Sequence, residues 1–206
     1  MTEKEKMLNG KIYDPNDEEL YQLRNRAHHL SKLYNDTFEE ETEKREEILK
    51  ELILNKGDNV YLQGPIYFDY GIFTTIGKGS YANFNLTILD VCPVTIGENV
   101  FMGPNVSILT PKHPLRYQDR NLYFHPIKKY MTDMEYGAPI TIQDNCWIAG
   151  NVTICAGVTI HEGCVIGAGS VVTKDIPPHS LAFGNPCKVK RQITEEDKIE
   201  LKKELF

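Results

Sequence analysis

Isoleucine returns every six residues through the last third of the chain, at Ile142, Ile148, Ile154, Ile160 and Ile166, and Val172 closes the run. Two shorter runs upstream keep the same step: Ile76, Ala82, Ile88, then Ile96, Met102, Ile108. The next position is small at Gly77, Gly97, Gly103, Ala149 and Gly167. A period of six matches neither the helical turn nor the alternation of a strand, so it signals a repeat architecture. Hexapeptide units of this kind build a parallel β-helix. Each unit supplies one short flat strand and a corner, the beat residue points inward, and three units close one triangular coil. The expected fold is therefore mainly β, and interruptions of the beat point to the chemistry.

Residues 1–57 have a different texture, rich in charge and free of the beat. Asp17 is placed to cap a helix through Leu20, Leu23, Ala27, Leu30 and Leu33, whose spacing makes one apolar stripe. Thr37 and Glu40 form a capping-box pattern ahead of Ile48, Leu49, Leu52 and Ile53, and Gly57 should end that second helix. The run EEETEKREE reads as a solvated helix face. The coil is expected over 58–187. Its step lengthens at 90–93 and breaks between Ile108 and Ile142, where a loop spanning 110–139 is inserted. An insertion of that length in so regular a scaffold is usually functional. The chain then leaves the coil at DIPPHS and passes through GNPCKVKR to a tail, 188–206, with a short helix capped by Thr194.

The formal net charge of −6 argues against a nucleic-acid or anionic-membrane surface as the main partner. No apolar stretch approaches a membrane span, and MTEKEKML lacks the apolar run of a secretion signal, so a cytoplasmic protein is expected. Five cysteines without a C-x-x-C pair read as reduced thiols. Cys146 and Cys164 lie one coil apart, a separation open to a disulfide or, as the plainer reading, to two buried apolar side chains.

His113 in TPKHPL is the sharpest candidate for chemistry. It stands at the base of the insertion between Pro111 and Pro114, and histidine is the natural general base for a hydroxyl proton. The rival is a zinc site, with carbonic-anhydrase-like hydration as its reaction. It would need His113, His125 and His161 to converge with an open fourth position, whereas His161 should point outward and His125 sits mid-loop. Lys174, Lys188, Lys190 and Arg191 form a small basic cluster that is either ordinary surface or a pocket for phosphate groups.

The hexapeptide run, the phrase ANFNLTILDVCPVTIGENV, the segment PKHPL and the ending GAGSVVTKDIPPHS with GNPCKVKR together resemble the maltose and galactoside O-acetyltransferases. GKIYDPND near the start resembles the small helical domain that precedes the coil in that family. The resemblance implies a homotrimer of left-handed parallel β-helices in which acetyl-CoA and a small sugar acceptor meet in a groove between subunits, with no metal. It makes His113 the base for direct attack of a sugar hydroxyl on the thioester. It places Asn83, Asp69, Trp147 and either Asp14 or Asp17 on the acceptor side. Gly150, Ala168, Thr173, Lys174, Lys188 and Arg191 fall at coenzyme-contacting positions, and a backbone amide near Gly150 is the expected oxyanion donor.

Three departures from the family pattern stand out. The 110–139 insertion is longer than usual, which leaves substrate choice open. Val91 replaces an aspartate of the lactose-type relatives and points to the maltose-type branch, and Gly150 replaces a serine. Other hexapeptide acetyltransferases, acting on serine, amino sugars or antibiotics, remain rivals, as does a catalytically idle trimeric scaffold.

Overall fold

The computed structural model describes residues 1–205. Short strands stack in register into a parallel β-solenoid of triangular section. The first face carries Asn55–Lys56, Thr74–Ile76, Val94–Ile96, Ile140–Ile142 and Thr159–Ile160. The second carries Tyr61–Leu62, Tyr81–Ala82, Phe101–Met102, Trp147–Ile148, Val165–Ile166 and Ser180–Phe183, with Lys188–Gln192 added antiparallel at its end. The third carries Ile66–Phe68, Leu86–Leu89, Ser107–Leu109, Thr153–Cys155 and Val171–Val172. Every residue on the six-beat is at most 1% exposed, so the beat is the column of side chains filling the prism. The small residue after it has a steric cause. A Cβ on Gly77 would lie 2.5 Å from the backbone of Gly97, and one on Gly103 would lie 2.6 Å from the amide nitrogen of Gly150.

The corners explain the asparagines. Asn85, Asn105 and Asn151 stack on the edge joining the second and third faces, each with φ near +60° (63°, 59° and 58°). Asparagine tolerates this left-handed conformation better than most L-residues. Their amides also form a ladder: Asn85 Nδ2 donates to Asn105 Oδ1 at 2.9 Å, and Asn105 Nδ2 to Asn151 Oδ1 at 3.1 Å.

Three helices precede the solenoid: α1 (Glu3–Leu8), α2 (Glu18–Asn35) and α3 (Thr42–Leu52). Asp17 caps α2 by accepting from the Glu19 amide. Leu20, Ala27 and Leu30 are buried as the stripe requires, but Leu33 is 41% exposed and Tyr34 takes the inward position instead. Thr37 and Glu40 do not form a capping box. Thr37 Oγ1 donates to the Tyr34 carbonyl, closing α2, and α3 starts later, after Glu41. Nor does Gly57 end a helix; α3 stops at Leu52, and Gly57 lies in the first coil, where a Cβ would strike Lys78. Arg45 departs from the solvated-face reading. It is buried, and its Nη2 donates to the carbonyls of Leu62 (2.7 Å) and Gln63 (2.8 Å) and to the Tyr34 hydroxyl (2.8 Å). It staples α3 to the first coil. The tail after Thr194 forms short 3₁₀ turns rather than an α-helix. All five cysteines are free, with Cys146 and Cys164 buried.

Candidate active site

The departures from regular stepping fall on one edge, where the third face returns to the first. There the corners lengthen at 69–73 and 90–93, in successive coils, and the 110–139 insertion follows in the next. Buried polar side chains hold these corners. Asp90 accepts from the Tyr70 amide (2.8 Å) and the Thr74 hydroxyl (2.9 Å), and Thr110 Oγ1 accepts from the Cys92 amide at 3.0 Å. A second apolar cluster, including Met7, Tyr13, Leu20, Tyr70, Val91 and Cys92, seats the N-terminal helices against the same edge.

The insertion is an ordered arm. Pro111–Lys112 pairs antiparallel with Tyr136–Gly137, and beyond a short helix (Tyr117–Arg120) a hairpin joins Tyr123–Phe124 to Met131–Thr132. His125 closes the hairpin turn: its Nδ1 accepts from the amides of Ile127 (3.3 Å) and Lys128 (3.2 Å). His161 lies on another edge, with Nδ1 3.2 Å from Gln143 Oε1. The three histidines do not converge, and no group of three metal-ligating side chains exists among the described residues.

His113 follows directly on Lys112 at the base of the arm, its side chain 46% exposed and its Nδ1 3.8 Å from Asp133 Oδ2. Asp133 also lines a cavity of about 270 Å³ with Tyr13, Asn16, Arg24, Asp69 and Glu135. Burial pushes the Glu135 carboxyl up, against opposing interactions with the Tyr13 hydroxyl and His113. Burial likewise raises Asp69 against the pull of His28 and Arg24. A larger cleft of about 480 Å³ lies between α2 and the third face; Asp69 borders it too, 3.7 Å from His28 Nε2.

Asp14 and Asp17 have other partners. Asp17 is the cap of α2. Asp14 is 7% exposed, and its carboxylate accepts from Lys128 Nζ (2.6 Å), Tyr130 OH (2.6 Å), Thr132 Oγ1 (2.5 Å) and the Asn16 amide (3.0 Å). Its oxygens are taken by the arm, which leaves little capacity for an acceptor.

The remaining candidates, Thr173 and Lys174 apart, lie elsewhere. Asn83, Gly150 and Ala168 lie on the edge between the second and third faces, which is lined by small residues in the later coils. Gly169, also on this edge, has φ +71°. Trp147 stands on the second face, 54% exposed. Thr173 and Lys174 form the corner between the last third-face strand and Ile176 on the first face, so they share the edge of His113, two coils further on; Lys188 is exposed on the antiparallel strand. Arg191 is bound in a bidentate pair with Asp197, both contacts 2.7 Å. Sequence reading missed Tyr13, His28, Asp133 and Glu135. Asp133 and Glu135 lie in an aperiodic insertion, where spacing carries no register and no signal joins them to His113.

Two family models match the chain: the maltose acetyltransferase hexapeptide capping motif over residues 6–57, and the bacterial transferase hexapeptide of six repeats over 139–174. The galactoside O-acetyltransferase of Escherichia coli K12 is 43% identical over 194 residues, covering 94% of this chain and 91% of its own. The chain belongs to the maltose and galactoside O-acetyltransferase family. The fold of this acyltransferase agrees. A crystal structure of a maltose O-acetyltransferase from Clostridium difficile 630 superposes with a TM-score of 0.86 at 46% identity, over 95% of this chain and 99% of that one. A galactoside acetyltransferase in complex with coenzyme A gives 0.86 at 42% identity, over 96% and 94%.

Proposed function

We propose that the protein transfers the acetyl group of acetyl-CoA to a hydroxyl of a small sugar or glycoside, with His113 as general base, in a site shared between protomers of a homotrimer. One observation carries the shared site. His113 and Asp69 occupy one edge of the prism, while Asn83, Gly150 and Ala168 occupy another. A single chain holds two half-sites; a cyclic assembly sets the base-bearing edge of one copy against the small-residue edge of the next. The second face supports such packing. Tyr61 and Tyr81 stack at 6.1 Å, Tyr81 meets Phe101 at 6.4 Å, and Phe101 pairs in register with Trp147. Phe101 is 53% exposed, so this aromatic ladder is a broad apolar surface awaiting cover.

In this reading the imidazole of His113 removes the acceptor's hydroxyl proton as the oxygen attacks the thioester carbonyl. The tetrahedral intermediate's negative oxygen is met by a backbone N–H near Gly150. Collapse breaks the carbon–sulfur bond, and the proton passes from His113 to the departing thiolate, giving an O-acetyl ester and free coenzyme A. The acceptor's other hydroxyls face Asp69, Asn83 and the cavity at Tyr13. The buried Tyr13 hydroxyl lies near the Glu135 carboxyl without closing a good hydrogen bond to it, which leaves it open to a ligand that both donates and accepts. On the cofactor side, the small residues of the second edge leave backbone exposed to an extended thioester arm, with Lys188 nearer its phosphates and Thr173 and Lys174 reaching them from the base-bearing edge of the facing copy; Arg191 would join them by exchanging Asp197 for phosphate. Among the described residues no helix is long and apolar enough to cross a membrane, and the free cysteines suit the cytoplasm.

The test is thiol release from acetyl-CoA with a panel of sugars, amino acids and amino sugars. His113→Ala should lower turnover by roughly two to four orders of magnitude while acetyl-CoA binding persists. Near-wild-type turnover in that variant would remove His113 from its role, and a preference for a non-sugar acceptor would replace the substrate class.

A further inference from the structure

We propose that Asp133 is a positioning residue for His113, forming an aspartate–histidine pair that the N-terminal domain assembles by gripping the inserted arm through Asp14. The inference rests on His113 being the base and adds what orients it. Asp133 belongs to a short stretch of the arm, 131–137, that is held from several sides. Met131 and Thr132 pair with the hairpin strand Tyr123–Phe124, and Tyr136 and Gly137 pair with Pro111–Lys112, the strand that delivers His113. Between them, Glu135 bridges antiparallel to Tyr13, whose amide donates to the Glu135 carbonyl at 3.0 Å. The backbone on both sides of Asp133 is therefore fixed by main-chain pairing, one side of which comes from the N-terminal domain.

Asp14 locks the same stretch through side chains. Its carboxylate gathers Lys128, Tyr130 and Thr132, and Asn16 Nδ2 adds contacts of 3.3 Å to the Met131 carbonyl and to Thr132 Oγ1. Burial alone would raise the Asp14 carboxyl, but the bonds from Lys128, Thr132 and Tyr130 overcome it and hold the group at about 2. The clamp is thus charged and closed throughout the neutral range.

The position of Asp133 fits its role. Its carboxylate stands 3.8 Å from Nδ1, near enough to favour the imidazolium that forms when Nε2 takes a proton, and to tighten toward a hydrogen bond as that charge develops. Other charged groups about His113 are Glu135 on the same stretch, with Asp69 beyond it, and Lys112, its neighbour in sequence. The pair is held together across the chain: a residue near the N-terminus sets the geometry of an acid and a base that lie on either side of a hairpin.

The test compares full-length His113→Ala, Asp133→Asn, Asp133→Glu, Asp14→Ala and Lys128→Met in acetyl transfer, with acetyl-CoA affinity and thermal midpoint measured alongside. Asp133→Asn should lower kcat about ten- to a hundredfold with KM for acetyl-CoA unchanged, because the imidazolium that forms during transfer loses its carboxylate. Asp133→Glu should recover part of the loss. Asp14→Ala and Lys128→Met, which open the clamp from opposite sides, should lower kcat in the same way. Acetyl-CoA affinity should not change in any of them. An Asp133→Asn enzyme that keeps the wild-type kcat, while His113→Ala is inactive, overturns the pair and leaves the base in place. Lowered thermal midpoints with wild-type kinetics in the clamp variants would reduce Asp14 to a structural role and overturn its part. An active His113→Ala would overturn the underlying reading instead.

Discussion

At the scale of single residues, the informative groups are polar ones buried where the fold changes direction. Arg45 is 6% exposed, has its guanidinium over the Tyr34 ring at 4.6 Å, and is the donor for two first-coil carbonyls. Arg45→Ala would leave those carbonyls without a partner and should cost about 2–4 kcal/mol, read from urea denaturation. Asp90 behaves differently. Burial pushes its carboxyl from an ordinary 3.8 up to about 6, against hydrogen bonds from Tyr70, Gly71 and Thr74 that favour the anion. The folded state therefore holds this proton more tightly than the unfolded chain. Its stabilising effect is full below about pH 4 and is lost as pH rises through about 6, a change of about 3 kcal/mol by neutrality. Asp90→Asn keeps an acceptor for Tyr70, and the Thr74 hydroxyl can rotate to accept from the new amide. Denaturation curves between pH 4 and 8 should show a flatter stability profile for this variant than for the wild type, and an unchanged slope would remove Asp90 as its source.

Among the elements, the coil strands were the most legible in sequence and the arm the least. The six-beat marks inward positions because every third-of-a-coil strand places one side chain on the axis, and each such residue is in fact buried. The helices were legible only in outline. Asp17 and its stripe were visible, whereas the competing use of the Thr37 hydroxyl as a donor to the Tyr34 carbonyl and the inward turn of Arg45 depend on where α3 meets the first coil. Inside 110–139 nothing repeats, so the strand pairings that bring Asp133 to His113 and Asp14 to the hairpin arise from tertiary contacts that the local sequence does not encode. The corner asparagines offer a test at this scale. Asn105 has φ 59° and joins its neighbours above and below. Asn105→Val should destabilise by about 1–3 kcal/mol, since a branched side chain is strained there. Asn105→Gly, which keeps the conformation and loses only the amide ladder, should cost less in the same urea titration. Equal losses would mean that the ladder, not the conformation, dominates.

Across the whole molecule, the separation of His113 from Asn83 makes complementation the decisive experiment. His113→Ala and Asn83→Ala chains, each expected to be nearly inactive, should regain activity when unfolded together and refolded as mixed assemblies, because in the proposed trimer some interfaces then join an intact base to an intact acceptor edge. No gain over either parent would place the whole site within one chain. Phe101→Glu, in the middle of the aromatic ladder, should dissociate the proposed trimer, read as a fall in sedimentation coefficient, and abolish transfer with it; an associated, active Phe101→Glu enzyme would move the interface off the second face. The antiparallel strand Lys188–Gln192 has a consequence of another kind. A stack of parallel strands ends in a row of unsatisfied amides and carbonyls, a template on which another molecule's first coil could grow into a filament. This final strand runs the opposite way, is exposed along its length, and carries Lys188 and Lys190, so an incoming coil meets reversed polarity and like charge. Chains shortened to end at residue 187 would lose that terminator, and their characteristic failure should be end-to-end polymerisation rather than unfolding.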